Sequence, residues 1–127
     1  MTDVKFTNQQ PEDDYAQAVR MDDRVEIAGQ GGWDSDFNFP DDLRAEIRQA
    51  FENIASVLAE MDSSWEHVVH VNSYHVGLAG HQDEMNETMG ALFREYMPHH
   101  KPVWTNVGVT ALGHSRMRVE IRVTAID

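Results

Sequence analysis

The sequence predicts an α+β domain of order β-β-α-β-α-β-β, with two helices packed on one face of a sheet. Three observations carry that prediction. The runs Val103-Trp104-Thr105-Asn106-Val107-Gly108-Val109 and Arg118-Val119-Glu120-Ile121-Arg122-Val123 alternate with the period of two that marks a strand buried on one side. Leu43, Ile47, Ala50, Phe51, Ile54, Leu58 and Met61 recur at helical spacing. A second helical series, Met85, Met89, Leu92, Phe93 and Tyr96, runs up to the helix-stopping Pro98.

Along the chain, residues 1–12 are polar and read as a loose segment, and residues 13–127 read as a single domain. Tyr15 to Met21 is a candidate strand, Asp22-Asp23 a turn, and Arg24 to Ala28 a second strand with Val25 and Ile27 on one face. Gly29-Gln30-Gly31-Gly32 is too short and misplaced for a phosphate-binding loop. Trp33, Phe37 and Phe39 then sit in a polar loop, which they either pin to the domain or use to line a pocket. Asp41 or Asp42 can cap the first helix, and Asp62-Ser63-Ser64 breaks it. Val68 to Val76 is rich in β-branched residues and too apolar for a free edge. In the last two strands, Val103, Val107, Val109, Val119, Ile121 and Val123 are assigned to the core. Trp104, Asn106, Gly108, Arg118, Glu120 and Arg122 are assigned to the open face, which is either solvated or binds a ligand or a second subunit.

Composition excludes several classes. A chain of 127 residues suits one domain and buries a core without staples. No apolar run approaches the ~20 residues of a membrane span, and the first residues lack the apolar stretch of a secretory signal. A cytoplasmic protein is the expectation. There is no cysteine, so thiolate chemistry and Cys-based zinc sites are absent. With 10 basic against 22 acidic residues the formal charge is −12, which disfavours nucleic acid and anionic membranes as partners. The seven histidines show no metal-ligand spacing, and neither metal nor cofactor is expected. The Met series reads as core packing. No serine stands in a nucleophile elbow. The polar face of the last two strands is the remaining candidate site.

The ordered series Tyr15-Ala16-Gln17-Ala18-Val19, Val25-Glu26-Ile27-Ala28-Gly29-Gln30, Gln49-Ala50-Phe51-Glu52-Asn53-Ile54, Met85-Asn86, Phe93 with Pro98, Val107-Gly108-Val109 and Val119-Glu120-Ile121 resembles the Rid family. These are the YjgF-like reactive-intermediate deaminases, also known as endoribonuclease L-PSP. The resemblance covers Tyr15 to Ala125 and implies a chorismate-mutase-like fold and a homotrimer with small-molecule clefts between subunits. It implies hydrolysis of enamines or imines to a carbonyl compound and ammonia. A carboxylate matching Glu120 holds the attacking water, and the residues matching Tyr15 and Asn86 shape the cleft. The family's substrate-binding Arg lies in a Pro-x-Arg motif. Here that segment is Pro102-Val103-Trp104, so Trp104 takes the Arg position.

An indole has one N–H donor and no charge, so it cannot clamp a carboxylate; it can stack on a planar ligand. Trp104 and Asn106 are therefore candidate binding residues with Tyr15 and Asn86, and Glu120 is the candidate catalytic residue. Alternatively Trp104 only fills a subunit interface. Arg118 or Arg122 replaces the lost charge, or pairs with acidic groups across the interface. Two functions stay open, a divergent imine hydrolase and a non-catalytic small-molecule binder. A ribonuclease conflicts with the −12 charge.

Overall fold

The computed structural model describes residues 2–127. Its strands are β1 (Val4–Phe6), β2 (Ala18–Met21), β3 (Arg24–Ile27), β4 (Val68–Val76), β5 (Val103–Val109) and β6 (Val119–Ile126). Its helices are α1 (Leu43–Glu60) and α2 (Leu78–Tyr96), with a short 3₁₀ turn at Trp65–His67. The strands form one mixed sheet in the order β1-β2-β3-β6-β4-β5. Every neighbouring pair is antiparallel except β4 and β5, whose parallel pairing requires a crossover, which α2 provides. In the same way α1 carries the chain from β3 to β4, across β6.

Local chemistry explains the two helices. Asp42 caps α1, its Oδ2 accepting from the Ala45 N–H at 3.1 Å. The apolar stripe Leu43, Ile47, Ala50, Phe51, Ile54 and Leu58 is buried along its length. The turn after α1 places Asp62 at φ 58°, a left-handed position that Asp tolerates. Gly77, at φ 74°, makes the left-handed entry into α2. Met85 and Met89 are fully buried, so the Met series is core, joined to the α1 stripe and to Val119, Ile121 and Val123 of β6. Val68 to Val76 lies between β6 and β5, away from either edge, as its apolar content requires.

Three expectations are corrected. The N-terminal segment is not wholly loose, because Val4–Phe6 pairs with Val19–Met21 as a sixth strand. Only three residues long and exposed, β1 carries too little pattern to be read from sequence. The next strand begins at Ala18, not Tyr15, because the preceding residues turn to let Thr7 Oγ1 accept from the Gln17 and Ala18 N–H groups.

The third correction matters most for function. The faces of β5 are reversed. Register pairs Trp104 with Val71 and Asn106 with Ser73, both buried under α2. Val103 and Val107 instead share the open face with His70 and Tyr74, and are 65% and 40% exposed. Alternation fixes the period of a strand but not which side is core when both sides carry apolar residues. Here the large indole fills the space beneath α2, meeting Phe93 edge-to-face at 5.2 Å.

Candidate functional site

Two separate regions hold the residues singled out by sequence, Tyr15 excepted. The first is a groove of about 620 Å³ at the β5 edge of the sheet, between the C-terminal half of α2, the following turn and β5. Gly90, Phe93, Arg94, Met97, Lys101 and Trp104 lie along it. Trp104 donates its Nε1–H to Ser73 Oγ at 2.9 Å, and Ser73 Oγ lies 2.8 Å from His75 Nε2. Ser73 and His75 are fully enclosed. Burial lowers the His75 pKa to about 4, which keeps the ring neutral near pH 7. The single indole donor is thus committed inside the protein, and Trp104 offers the groove only its ring. One helical turn before Gly90, Asn86 Oδ1 accepts from Asn106 Nδ2 at 2.6 Å. Asn86 and Asn106 thus link α2 to β5 beside the groove, whose lining includes Trp104 but neither asparagine.

The second region is on the open face of the sheet. Glu120 pairs across β4 with Tyr74, on the side away from the helices. Its carboxylate accepts no protein hydrogen bond among the described residues, and burial raises its pKa above the ordinary carboxylate value. The glycine-rich segment explains how the chain passes so close. A Cβ at Gly29 would sit 2.7 Å from Glu120 Cδ, and one at Gly32 would sit 2.3 Å from the Glu46 carbonyl oxygen. Backbone pairing of Gln30 with Ile121 and two bonds from Asn53 Nδ2, to the Gly31 and Trp33 carbonyls, hold the segment in place. These glycines serve close approach, not phosphate binding.

Tyr15 lies in the turn before β2, is 67% exposed, and forms hydrogen bonds with neither region. Arg118 and Arg122 are both engaged by partners within the chain. Arg118 is held by the buried Glu46 at 2.7 Å and by the Pro40 and Asp41 carbonyls. Arg122 bonds Glu26 at 2.6 Å, Asn72 at 2.9 Å and Thr124 at 2.8 Å. Burial by itself would raise Glu26, but hydrogen bonds from Thr124 and Arg24 and the charges of Arg122 and Arg24 hold it below its ordinary value. Trp33, Phe37 and Phe39 stack on one another and on His114, which ties their loop to the one preceding β6.

The structure thus brings Trp104, Asn106 and Asn86 together and places Glu120 on the opposite face of the same sheet. Sequence reasoning missed Ser73, His75, Tyr74, Arg94 and Lys101. The signal for the last two was present: Arg94, His99, His100 and Lys101 form a basic stretch in an otherwise acidic chain.

A helix-backed mixed sheet with an open second face and a groove at one edge is the architecture of a small α+β domain. The chain belongs to the endoribonuclease L-PSP family, the Rid or YjgF-like proteins, whose family model matches residues 7–127. It is 26% identical over 107 residues to the RutC family protein YjgH of Escherichia coli strain K12, covering 84% of this chain and 79% of that protein. It is 26% identical over 115 residues to protein MMF1, mitochondrial, of Saccharomyces cerevisiae, covering 89% and 74%. The crystal structure of yeast Mmf1 superposes with a TM-score of 0.85 at 24% identity over 98% of this chain and 99% of that one, which establishes the fold. That fold is chorismate-mutase-like. No helix among the described residues is long and apolar enough to cross a membrane.

Proposed function

We propose that this protein acts on a small metabolite in a cleft completed by a second copy of the chain, hydrolysing an imine or enamine to a carbonyl compound and ammonia. A homotrimer, the family's implied assembly, lets the groove of one subunit face the Glu120 region of the next. One observation carries the reading. Glu120, which by resemblance matches the family's water-holding carboxylate, is partly buried, accepts no protein hydrogen bond among the described residues and has a raised pKa. Such a group takes a proton from water as the water oxygen bonds to the imine carbon. It returns that proton to nitrogen as the C–N bond breaks and ammonia leaves. Tyr15 and Asn86 would line the cleft. A cytoplasmic place of action belongs to the same proposal.

A second reading, non-catalytic binding, is favoured by one specific observation. Trp104, which by resemblance takes the family's Arg position, is an indole whose N–H is already bonded to Ser73. Orientation of a substrate carboxylate at that point is therefore lost. Losing a charge-assisted pair of about 1.5–3 kcal/mol costs roughly one to two decades in rate. Ammonia release from 2-aminoacrylate-type imines tests both readings. We expect turnover well below that of an Arg-bearing relative, partial gain in Trp104→Arg, and loss in Glu120→Gln. Activity equal in wild type and Glu120→Gln would remove Glu120 from the mechanism and favour the binder.

A further inference from the structure

Of the eight arginines in the chain, seven lie within 4.0 Å of a carboxylate. Arg94 is the one that does not, among the described residues. That is unexpected in a protein with 22 acidic side chains, and the exception lies on the wall of the groove. Its guanidinium folds back along α2 over Gly90, where an added Cβ would lie 3.5 Å from Nη1. Lys101, one of the two lysines, lies on the same groove and is likewise unpaired among the described residues. His99 and His100 complete that rim, and no carboxylate lines the groove. The rings of Trp104 and Phe93, held edge-to-face, line the same groove. Two cations without counter-charge beside an aromatic wall form a built subsite for a flat anion.

We infer that the groove binds a planar ring carrying an anionic group, the ring against Trp104 and the anion held by Arg94 and Lys101. The cation absent from the strand is thus replaced from the helix and the following turn, and the ligand is larger and flatter than one clamped at the Trp104 position itself. This rests on the groove forming part of the cleft proposed above. The local cations outweigh the global charge because the Debye length of about 8 Å screens distant carboxylates but not a contact pair. Arg94 stands in the last turn of α2, so a purely structural role at the helix C-terminus is the competing explanation.

Titration with benzoate, phenyl phosphate and the neutral benzamide tests the inference on the intact protein. The indole N–H signal of Trp104 in an NMR spectrum serves as reporter, assigned through Trp104→Phe. Benzoate or phenyl phosphate should bind at least about tenfold more tightly than benzamide, and the stronger of the two names the anion. Arg94→Gln and Lys101→Gln should each weaken that ligand by about tenfold while leaving benzamide unchanged. Equal binding of charged and neutral rings overturns the inference, as does no binding of any. If Arg94→Gln lowers thermal stability but leaves anion binding intact, the helix-terminus role wins and the inference falls. Imine turnover dependent on Glu120 with an empty groove would overturn this inference alone. Anion binding without turnover would overturn only the catalytic reading.

Discussion

Trp104 shows how one substitution redistributes chemistry among its neighbours. Trp104 stands in the segment Pro102-Val103-Trp104 that resembles the family's Pro-x-Arg motif, and its side chain offers no charge. It turns beneath α2 and joins Ser73 and His75 in a buried chain of hydrogen bonds. His75 Nδ1 is left without a partner among the described residues, an orphan polar atom in a closed site. Ser73→Ala would strand the indole N–H and the second imidazole nitrogen as well, at a cost of about 1–3 kcal/mol, read by urea denaturation. The same imidazole gives a pH signature. Because its folded pKa is about 4 and its ordinary value 6.5, the unfolded chain takes up a proton first. Stability is therefore full above pH 6.5 and declines as pH falls toward 4. Glu120, with a raised pKa, acts in the opposite sense in part of that window, so the measurement belongs in a Glu120→Gln background. Carboxylates held low, such as Glu26, release their stabilisation only below their ordinary 4.5. A flat profile between pH 4 and 6.5 would contradict the buried neutral histidine.

At the scale of elements, the segment Gly29–Gly32 and the edge strand β5 position everything discussed above. Gly29→Ala pushes a methyl group against the flexible end of Glu120, which can swing aside. Gly32→Ala meets the α1 backbone, which cannot. We expect Gly32→Ala to cost at least about 1–3 kcal/mol in overpacking, and Gly29→Ala to cost less while impairing whatever Glu120 does. Thermal melts of the two variants, paired with the imine assay, check this. The helices and the core stripe were legible in the sequence because a 3.6-residue period over 18 residues leaves little freedom. Three-residue β1 offered no period at all. The faces of β5 were misread because Val103 and Trp104 are both apolar, and only the presence of α2 decides which one is covered. Glu120 was placed correctly on the open face of β6, where charged and apolar residues alternate cleanly. The basic stretch that holds Arg94 is visible in the sequence, but that no acid pairs with Arg94 among the described residues is a property of the folded arrangement.

For the whole molecule, the open sheet face makes a second copy part of the account. Val4, Phe6, Val103, Val107 and Ile126 leave apolar surface exposed on it, between 38% and 65% per residue. Glu26, Arg122, Asn72 and Thr124 close into an ion-pair cluster at its centre. Such a face, apolar at its margins and internally paired in the middle, suits burial against identical faces in a closed ring. With Glu120 on this face and Trp104, Asn86 and Asn106 on the other, a single chain cannot bring them to one ligand. The shared cleft stands or falls with assembly. Light scattering coupled to size exclusion measures it directly. The account predicts about three chain masses at micromolar concentration, with Val107→Lys shifting the population toward single chains that retain their helical content. A wild-type protein that elutes as a folded monomer would contradict it.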